Sequence, residues 1–167
     1  MSTIAIQSRA IYMGGMSQNP SSTSEIDLDP FEDFLCFSVY STGLAFNRIY
    51  KPLLDRLGLT YLQYLAILAL ARQDDQAVSE LGEKLFLESN TLTPLLKRLE
   101  AAGLVERRRS AADERVVRIT LTNKGRETAE QARCVPAELL ETTGLAVEEL
   151  EALNGAMKKL RGRLRGK

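Results

Sequence analysis

Residues 78–121 constrain the fold more than any other part of the chain. They read VSELGEKLFLESNTLTPLLKRLEAAGLVERRRSAADERVVRITL, in which a short helical pattern precedes a second helix that opens with small polar residues. Gly103 follows that second helix, and two strand-like runs joined by a charged tip come next. Two short helices and a hairpin in this order predict a winged helix-turn-helix, which makes DNA binding the expected function.

Hydrophobic periodicity and turn residues divide the rest of the folded chain into helices. Asp29 and Pro30 are expected to start an apolar helix that continues to about residue 50, with Glu32 completing a capping box. Thr60 and Ser89 are predicted N-caps of later helices. The later predicted elements are helices over 61–72, 78–85, 90–102, 122–133 and 147–164, strands over 105–109 and 116–121, and a turn over 74–76.

The predicted architecture is mainly α with a small β-wing. Residues 1–26 are rich in small and polar residues and are expected to be a disordered extension of a single domain over 27–167. Within that domain, 61–121 form the winged helix-turn-helix, whereas 27–60 and 122–167 supply helices at the two ends. An apolar stripe at spacings of three and four favours a dimer interface over intrachain core: Leu150, Leu153, Met157, Leu160 and Leu164.

Composition excludes several kinds of chemistry. The chain has no histidine, so His-dependent catalysis and His-ligated zinc are excluded. Its two cysteines, Cys36 and Cys134, are too far apart for a zinc knuckle, and neither a metal nor a cofactor is expected. No apolar run has the length of a membrane span and no secretory signal is evident, so we expect a cytoplasmic protein with no membrane partner.

Charge is unevenly distributed although the net charge is zero. Residues 97–118 carry seven basic and four acidic side chains. The last eleven residues carry six basic side chains and no acidic one. A local basic surplus of this kind is typical of proteins that present one face to nucleic acid.

A recognition helix needs small polar residues at its start, which reach base edges, and basic residues beyond them, which hold phosphate groups. The candidate DNA contacts on the helix are Ser89, Asn90, Thr91, Thr93, Lys97 and Arg98. On the wing we expect Arg108 to contribute, Arg115 to enter a minor groove, and Asp113 to orient Arg115. The alternative is a solvated helix and a charged hairpin that bind another protein.

Residues 85–125 resemble the MarR family of dimeric winged-helix repressors, whose wing motif D-x-R is here Asp113-Glu114-Arg115. Residues 35–70, LCFSVYSTGLAFNRIYKPLLDRLGLTYLQYLAILAL, are similar to the organic-hydroperoxide-sensing branch of that family. The resemblance covers 31–125. It implies a homodimer that binds inverted-repeat operator DNA and is released when a sensor cysteine is oxidised. A repressor of this kind turns over no substrate and is not an enzyme.

The resemblance assigns the sensor role to Cys36 and makes Tyr50 and Tyr61 the pair that hydrogen-bonds the reactive sulfur. Tyr50 lies fourteen residues after Cys36, or ~21 Å along a continuous helix. Either the helix breaks, or the tyrosines come from the other subunit. For each tyrosine, simple interface packing is the alternative role.

The residues next to Cys36 are expected to line the same pocket. Tyr40 shares its helix face one turn later, and Phe34 and Phe37 make the surroundings apolar. An apolar pocket favours organic hydroperoxides over hydrogen peroxide. Without the resemblance, Cys36 would be interpreted as a buried small apolar residue.

The fate of the oxidised sulfur is open at this stage. Two-cysteine members of the branch carry a second cysteine after a Val-Pro step, but the stretch VPAELLETTG contains none. Cys134 lies just before Val135 and Pro136. It is either a resolving cysteine or a buried spectator, and in the second case a low-molecular-weight thiol would resolve the sulfenic acid.

Other classes of function are weaker alternatives. The nearest is a MarR-type repressor released by a small aromatic ligand, in which Cys36 is inert. A thiol peroxidase lacks an Arg or Thr near Cys36 that would stabilise the leaving oxygen. A helical interaction module would show no salt-dependent binding to duplex DNA.

Overall fold

The computed structural model describes residues 34–166. The helices are α1 (Leu35–Asp55), α2 (Tyr61–Arg72), α3 (Val78–Leu85), α4 (Ser89–Ala101), α5 (Asn123–Gln131), α6 (Val135–Thr143) and α7 (Val147–Leu164). The strands are β1 (Gln76–Ala77), β2 (Val105–Arg109) and β3 (Val117–Leu121), and Ala132–Cys134 form a 3₁₀ turn. The mainly α architecture with a small β-wing is confirmed. The predicted extension over 1–26 and the capping signal at Asp29 and Pro30 lie outside the described residues.

Two compact units divide the chain, Met1–Asn47 and Arg48–Lys167, and their boundary falls inside α1. In the first unit the described helix begins at Leu35. The amide of Ser38 donates to the Phe34 carbonyl at 2.9 Å, as expected for the first bond of a helix that starts there. Cys36 therefore lies in the first turn of α1 and not in the second, as the expected start at Pro30 implied.

The second unit is built around α2, which is the most buried helix. Thr60 caps it as predicted: the Thr60 hydroxyl accepts from the Gln63 amide at 3.4 Å, and the Gln63 side chain accepts from the Thr60 amide at 2.8 Å. This reciprocal pair is a capping box. The core around α2 consists of leucines and other apolar side chains from the helices α2, α3 and α4 and the strands β2 and β3, among them Ile67, Leu70, Leu81, Leu96, Leu99 and Ile119.

Helix α4 follows α3 as the second helix of the helix-turn-helix. Its buried residues are Leu92, Leu95, Leu96 and Leu99, which dock it on the core. The prediction that Ser89 is its N-cap is wrong. Glu88 is the N-cap and makes no side-chain capping bond, whereas Ser89 is the first helical residue. The Glu88 carbonyl accepts from the Leu92 amide at 2.9 Å, so the helix starts one residue earlier than expected.

A three-stranded antiparallel sheet in the order β1-β3-β2 forms the wing and its base. The two wing strands agree with the prediction to within one residue. The sequence did not reveal β1, and the predicted turn over 74–76 is wrong at its last residue. Gln76 is a strand residue that pairs with Ile119. It is fully buried, and its side chain donates to the Ala69 carbonyl and accepts from Lys84 at 2.6 Å.

Asp74 and Asp75, just before β1, bind the base of the wing to the rest of the unit. The Asp74 carboxylate accepts from the Leu121 amide at 2.9 Å and from Arg126 at 2.5 Å. The Asp75 carboxylate accepts from Arg118 at 2.8 Å. Two consecutive acids thus hold β3 and α5 to the end of α2.

Helices α5 and α7 begin and end close to the prediction, whereas α6 was not predicted. Thr122 caps α5 with a bond from the Gly125 amide at 3.0 Å, and the Ala132–Cys134 turn separates α5 from α6. Helix α7 has no buried residue, and Leu153, Met157 and Leu164 are exposed. Its role in a dimer, like the predicted boundaries at 60/61 and 121/122, stays a prediction. Among residues 34–166 no helix is both long enough and apolar enough to cross a membrane.

Candidate functional site

The polar face of α4 is open to solvent. Ser89, Asn90 and Thr91 are exposed at its N-terminal end, and Thr93 is half-buried one turn further on. Lys97 and Arg98 are also exposed, beyond the small polar residues. The leucines are on the opposite face. The helix therefore presents the combination of short polar and basic side chains that a DNA-reading helix requires.

The wing tip is shaped by hydrogen bonds to Asp113. Its carboxylate accepts from the Arg115 amide at 2.9 Å, and its carbonyl accepts from the Val116 amide at 2.9 Å. Asp113 thus fixes the backbone of Arg115, whose side chain is exposed. Arg108, on β2, is exposed and is paired with Glu106 at 2.5 Å.

A cavity of about 300 Å³ lies between the wing and the helix-turn-helix. Its lining brings together hydroxyl, guanidinium and apolar groups from Val78, Ser79, Ser89, Thr93, Arg107, Arg115, Val116 and Val117. The Nε atom of Arg107 is buried and lacks a hydrogen-bond partner within the described part of the chain. Its Nη1 lies 3.5 Å from the Glu100 carboxylate. The cavity is therefore polar and positively charged, and one of the arginines that line it, Arg107, has a hydrogen-bond donor without a partner in the described chain.

Tyr50 and Tyr61, the predicted sensor tyrosines, lie together in the second unit. Their ring centroids are 4.8 Å apart, and Tyr64 joins them with centroids 5.9 and 6.3 Å away. Burial raises the pKa of Tyr50 to about 12, with further contributions from Tyr61 and Tyr64. Burial also raises the pKa values of Tyr61 and Tyr64. All three phenols are held in their protonated form, in which the hydroxyl donates hydrogen bonds.

Tyr64 was not among the predicted pocket residues. It is buried, with 2% of its surface exposed, and it contacts both predicted tyrosines. The signal was available in the sequence, because Tyr61 and Tyr64 are three residues apart and share a helix face.

Cys134 is an exposed thiol in the same unit. Its Sγ donates to the Gln131 carbonyl at 3.2 Å. A hydrogen bond with the Glu138 carboxylate raises the pKa of the Cys134 thiol, as do burial and the charge of Glu138. Glu138 is itself paired with Arg56 at 2.5 Å. These groups stabilise the protonated thiol and not the nucleophilic thiolate.

Cys36 belongs to the first unit, Met1–Asn47. It is exposed near the start of α1, and Tyr40 lies four residues later with 63% of its surface exposed. Phe34 and Phe37 are exposed large apolar residues at the same end of the helix. Cys36 is therefore exposed in the single chain, which gives no support to its interpretation as a buried packing residue.

Comparison with known proteins places this geometry in a family. Residues 48–132 match the family model described as transcriptional regulator SarA/Rot. The chain is 42% identical over 137 residues to the organic hydroperoxide resistance transcriptional regulator of Bacillus subtilis, an alignment that covers 82% of this chain and 93% of the relative. The chain belongs to the MarR family of winged-helix transcriptional regulators.

Other transcriptional regulators of similar sequence or structure agree with this assignment. The HTH-type transcriptional regulator TtmR of Methylorubrum extorquens is 44% identical over 144 residues, covering 86% of this chain and 74% of the relative. AbfR of Staphylococcus epidermidis has a similar structure, with a TM-score of 0.68, 35% identity, and coverage of 80% of this chain and 92% of AbfR. Its structures include a reduced form bound to DNA, with a TM-score of 0.66, and a disulfide form, with a TM-score of 0.57.

Membership of the MarR family confirms the broad conclusions from the sequence. The chain is a DNA-binding transcription regulator and not an enzyme. The roles of individual site residues stay predictions.

Proposed function

We propose that this MarR-family regulator is a thiol-based redox-sensing repressor. It binds inverted-repeat operator DNA as a homodimer and leaves the operator when an organic hydroperoxide oxidises Cys36. The relatives support a redox role: one regulates organic hydroperoxide resistance, and AbfR has been described in reduced and disulfide forms. The resemblance of residues 35–70 to the hydroperoxide-sensing branch assigns the sensor role to Cys36 and implies an organic hydroperoxide as the effector.

The pair formed by Tyr50 and Tyr61 is the observation that carries the proposal. Their phenol groups share one cluster with centroids 4.8 Å apart, and the raised pKa values keep their hydroxyls protonated. Two protonated phenols can donate hydrogen bonds to a thiolate and keep it in its reactive form. Since a fourteen-residue separation along a helix corresponds to ~21 Å, we assign the pair that serves one Cys36 to the second subunit of the dimer.

The chemical step is a two-electron oxidation. The Cys36 thiolate attacks the distal oxygen of the hydroperoxide and forms an S–O bond while the O–O bond breaks. The sulfur becomes a sulfenic acid, and the leaving alkoxide takes a proton to give an alcohol. Phe34 and Phe37 are exposed apolar neighbours of Cys36, which favours hydroperoxides with an alkyl or aryl group.

Resolution of the sulfenic acid is assigned to a low-molecular-weight thiol. Its thiolate attacks the sulfenic sulfur, a disulfide forms and hydroxide leaves as water after protonation. Cys134 is the less suitable partner because the Glu138 carboxylate raises the pKa of its thiol and thereby lowers the thiolate population.

DNA contacts are assigned to the exposed face of α4 and to the wing. Ser89, Asn90 and Thr91 are placed to reach base edges, and Lys97 is placed to contact phosphate. Arg115, held by the Asp113 hydrogen bond to its amide, is assigned to the minor groove. Oxidation at the dimer interface would change the separation of the recognition helices of the two subunits, which must match the ~34 Å between successive major grooves.

The decisive experiment measures operator binding before and after treatment with cumene hydroperoxide. The duplex is selected from random sequences with the reduced wild-type protein. We expect wild type to bind and to be released by the hydroperoxide, Cys36→Ser to bind and remain bound, and Cys134→Ser to behave as wild type when glutathione is present. Release of Cys36→Ser as readily as wild type would refute the sensor assignment.

A second candidate function is release by a small aromatic acid, with Cys36 inert. The observation in its favour is the cavity of about 300 Å³ beside the recognition helix, which is lined by the arginines Arg107 and Arg115. A guanidinium of this kind can pair with a carboxylate. Benzoate or salicylate that releases wild type and Cys36→Ser equally, but not Arg107→Gln, would favour this function.

A further inference from the structure

Phe86 occupies an unusual position in the turn between α3 and α4. Its backbone has φ 59° and ψ 37°, the left-handed conformation that normally favours glycine or asparagine after a helix. The turn is held by backbone bonds, including one from the Leu87 amide to the Gly82 carbonyl at 3.0 Å. A large aromatic side chain at such a position adds backbone strain, so its presence calls for a contact of the ring itself.

Two guanidinium groups supply that contact, one from Arg161 in the last turn of α7 and one from Arg165, the C-cap of that helix. The Cζ atom of Arg165 lies 4.0 Å from the centroid of the Phe86 ring, and that of Arg161 lies 4.9 Å away. Both distances fall within the range of cation–π interactions. Arg161 and Arg165 are one helical turn apart, where two positive charges repel, and the negative face of the ring offsets that repulsion.

We propose that Phe86, Arg161 and Arg165 form a positioning contact through which α7 sets the affinity of the helix-turn-helix for its operator. Phe86 is three residues before Ser89, the first residue of α4. A shift of the ring therefore moves the turn from which the recognition helix starts. None of the three residues needs to touch DNA for this effect.

The sparse packing of α7 makes this contact important. Helix α7 has no fully buried residue, and its leucines Leu150 and Leu160 are only half-buried, so apolar packing holds it weakly within the described chain. The stack on Phe86 is a specific link between the two. Phe86 keeps 48% of its surface exposed, and the stack can form and break without repacking the core.

This inference rests on the proposed function in one respect: it takes the protein to be a homodimer whose interface includes the predicted apolar stripe of α7. If oxidation changes the dimer, the movement of α7 reaches the recognition helix through Phe86. The contact is thus a route by which the state of the sensor changes DNA binding.

The first test examines the contact without DNA. Amide hydrogen exchange is measured over 160–166 in wild type and in Phe86→Asn, a substitution that keeps a residue suited to the left-handed backbone. We expect faster exchange over 160–166 in the variant, with unchanged exchange in α2 as evidence of an intact core. Identical exchange over 160–166 in the two proteins would show that the contact does not form, and this result does not depend on whether the protein binds DNA.

The second test measures affinity for the selected duplex. Arg165→Lys keeps the charge but loses the planar stack, and we expect binding to weaken about two- to five-fold. We expect the double variant Arg161→Lys/Arg165→Lys to weaken binding about five- to ten-fold, with Phe86→Asn of similar size and not additive to it. Arg163→Lys is the matched control from the same exposed helix end, and it should stay within two-fold of wild type.

Salt dependence separates positioning from direct contact with DNA phosphate. If Arg165 binds phosphate, Arg165→Gln lowers the dependence of affinity on salt by about one ion, and Phe86→Asn leaves binding unchanged. That result would overturn the proposal, as would faster exchange over 160–166 with unchanged operator affinity. If wild type binds no selected duplex, the proposed function fails, while the exchange experiment still decides whether the contact exists.

Discussion

Replacing Asp74 tests whether the base of the wing depends on one carboxylate. Asp74 accepts hydrogen bonds from the Leu121 amide at 2.9 Å, from the Asp75 amide at 3.0 Å and from the Arg126 guanidinium at 2.5 Å. The first bond is partly buried and joins residues 47 positions apart. Asp74→Ala removes all three, whereas Asp74→Asn keeps an oxygen for the two amides and loses the charge together with the bond from Arg126.

The expected losses follow from these contacts. A buried amide left without its acceptor costs about 1–3 kcal/mol. The pair with Arg126 is exposed on the arginine side and contributes about 0.2–1 kcal/mol after solvent screening. We therefore expect Asp74→Ala to lower the free energy of unfolding by about 2–3 kcal/mol and Asp74→Asn to lower it by less than about 1 kcal/mol.

Urea unfolding followed by circular dichroism at fixed protein concentration measures both values. Burial raises the pKa of Asp74, but the bonds from the Leu121 amide, Arg126 and the Asp75 amide outweigh it, so the pKa lies below 3.8. A lowered pKa contributes stability above the unfolded value, and this contribution is lost as pH falls through the folded value. The difference between wild type and Asp74→Asn should thus be complete at neutral pH and shrink below pH ~4.

Three outcomes would refute this reasoning. Equal destabilisation by Asp74→Ala and Asp74→Asn would show that charge and not the bond to Leu121 matters. If the difference in the free energy of unfolding between wild type and Asp74→Asn persists in acid, the ionised carboxylate is not the source of the stabilisation. Glu127→Gln, at an exposed position of α5, is the control for loss of one negative charge, and a comparable loss there would show that the effect is not local.

Three further predictions concern packing, ionisation and DNA. Gly125→Ala places a Cβ against the Leu104 carbonyl oxygen and should lower the free energy of unfolding by about 2–3 kcal/mol in urea titrations. Gly155→Ala, whose Cβ would have nothing within 4 Å, should raise that free energy by up to ~1 kcal/mol. Because the pKa of Tyr50 is about 12, Tyr50→Phe should leave the ultraviolet phenolate absorbance of the folded protein at pH 10 nearly unchanged. In urea at that pH, the same variant should lose one of five tyrosine signals; an equal loss in the folded protein would contradict the burial of Tyr50. Lys97→Gln should reduce the slope of log affinity against log salt by ~0.9, and an unchanged slope would remove Lys97 from the phosphate contacts.

Local patterns in the sequence were sufficient for most of the fold. Helices α3 and α7 have the bounds that the pattern of their residues predicted, because an amphipathic stripe is a property of neighbouring residues. Thr60 and Thr122 were likewise predicted as caps or helix starts from their immediate surroundings. The two-residue strand β1 was missed because two residues have no period to detect.

Contacts between distant positions could not be predicted in the same way. Nothing in the sequence indicates that Asp74 binds the Leu121 amide, or that Arg165 stacks on a ring 79 positions earlier in the chain. The candidate functional site likewise combines features that local patterns predicted with contacts that they could not predict. The polar start of α4 was predicted from its pattern, whereas the partners of Arg107 and Cys134 depend on how elements pack.

The order of strands in the wing has a consequence for self-association. Among the described residues, β2 pairs only with β3, so its other edge has unpaired backbone groups that can join a strand of another molecule. Three successive residues of that edge are arginines, Arg107, Arg108 and Arg109, which repel an identical strand. These three charges, of which Arg108 is also a candidate DNA contact, therefore oppose the addition of one wing to another. Neutralising them would produce a regulator that fails first by aggregation during the intervals in which it is off its operator.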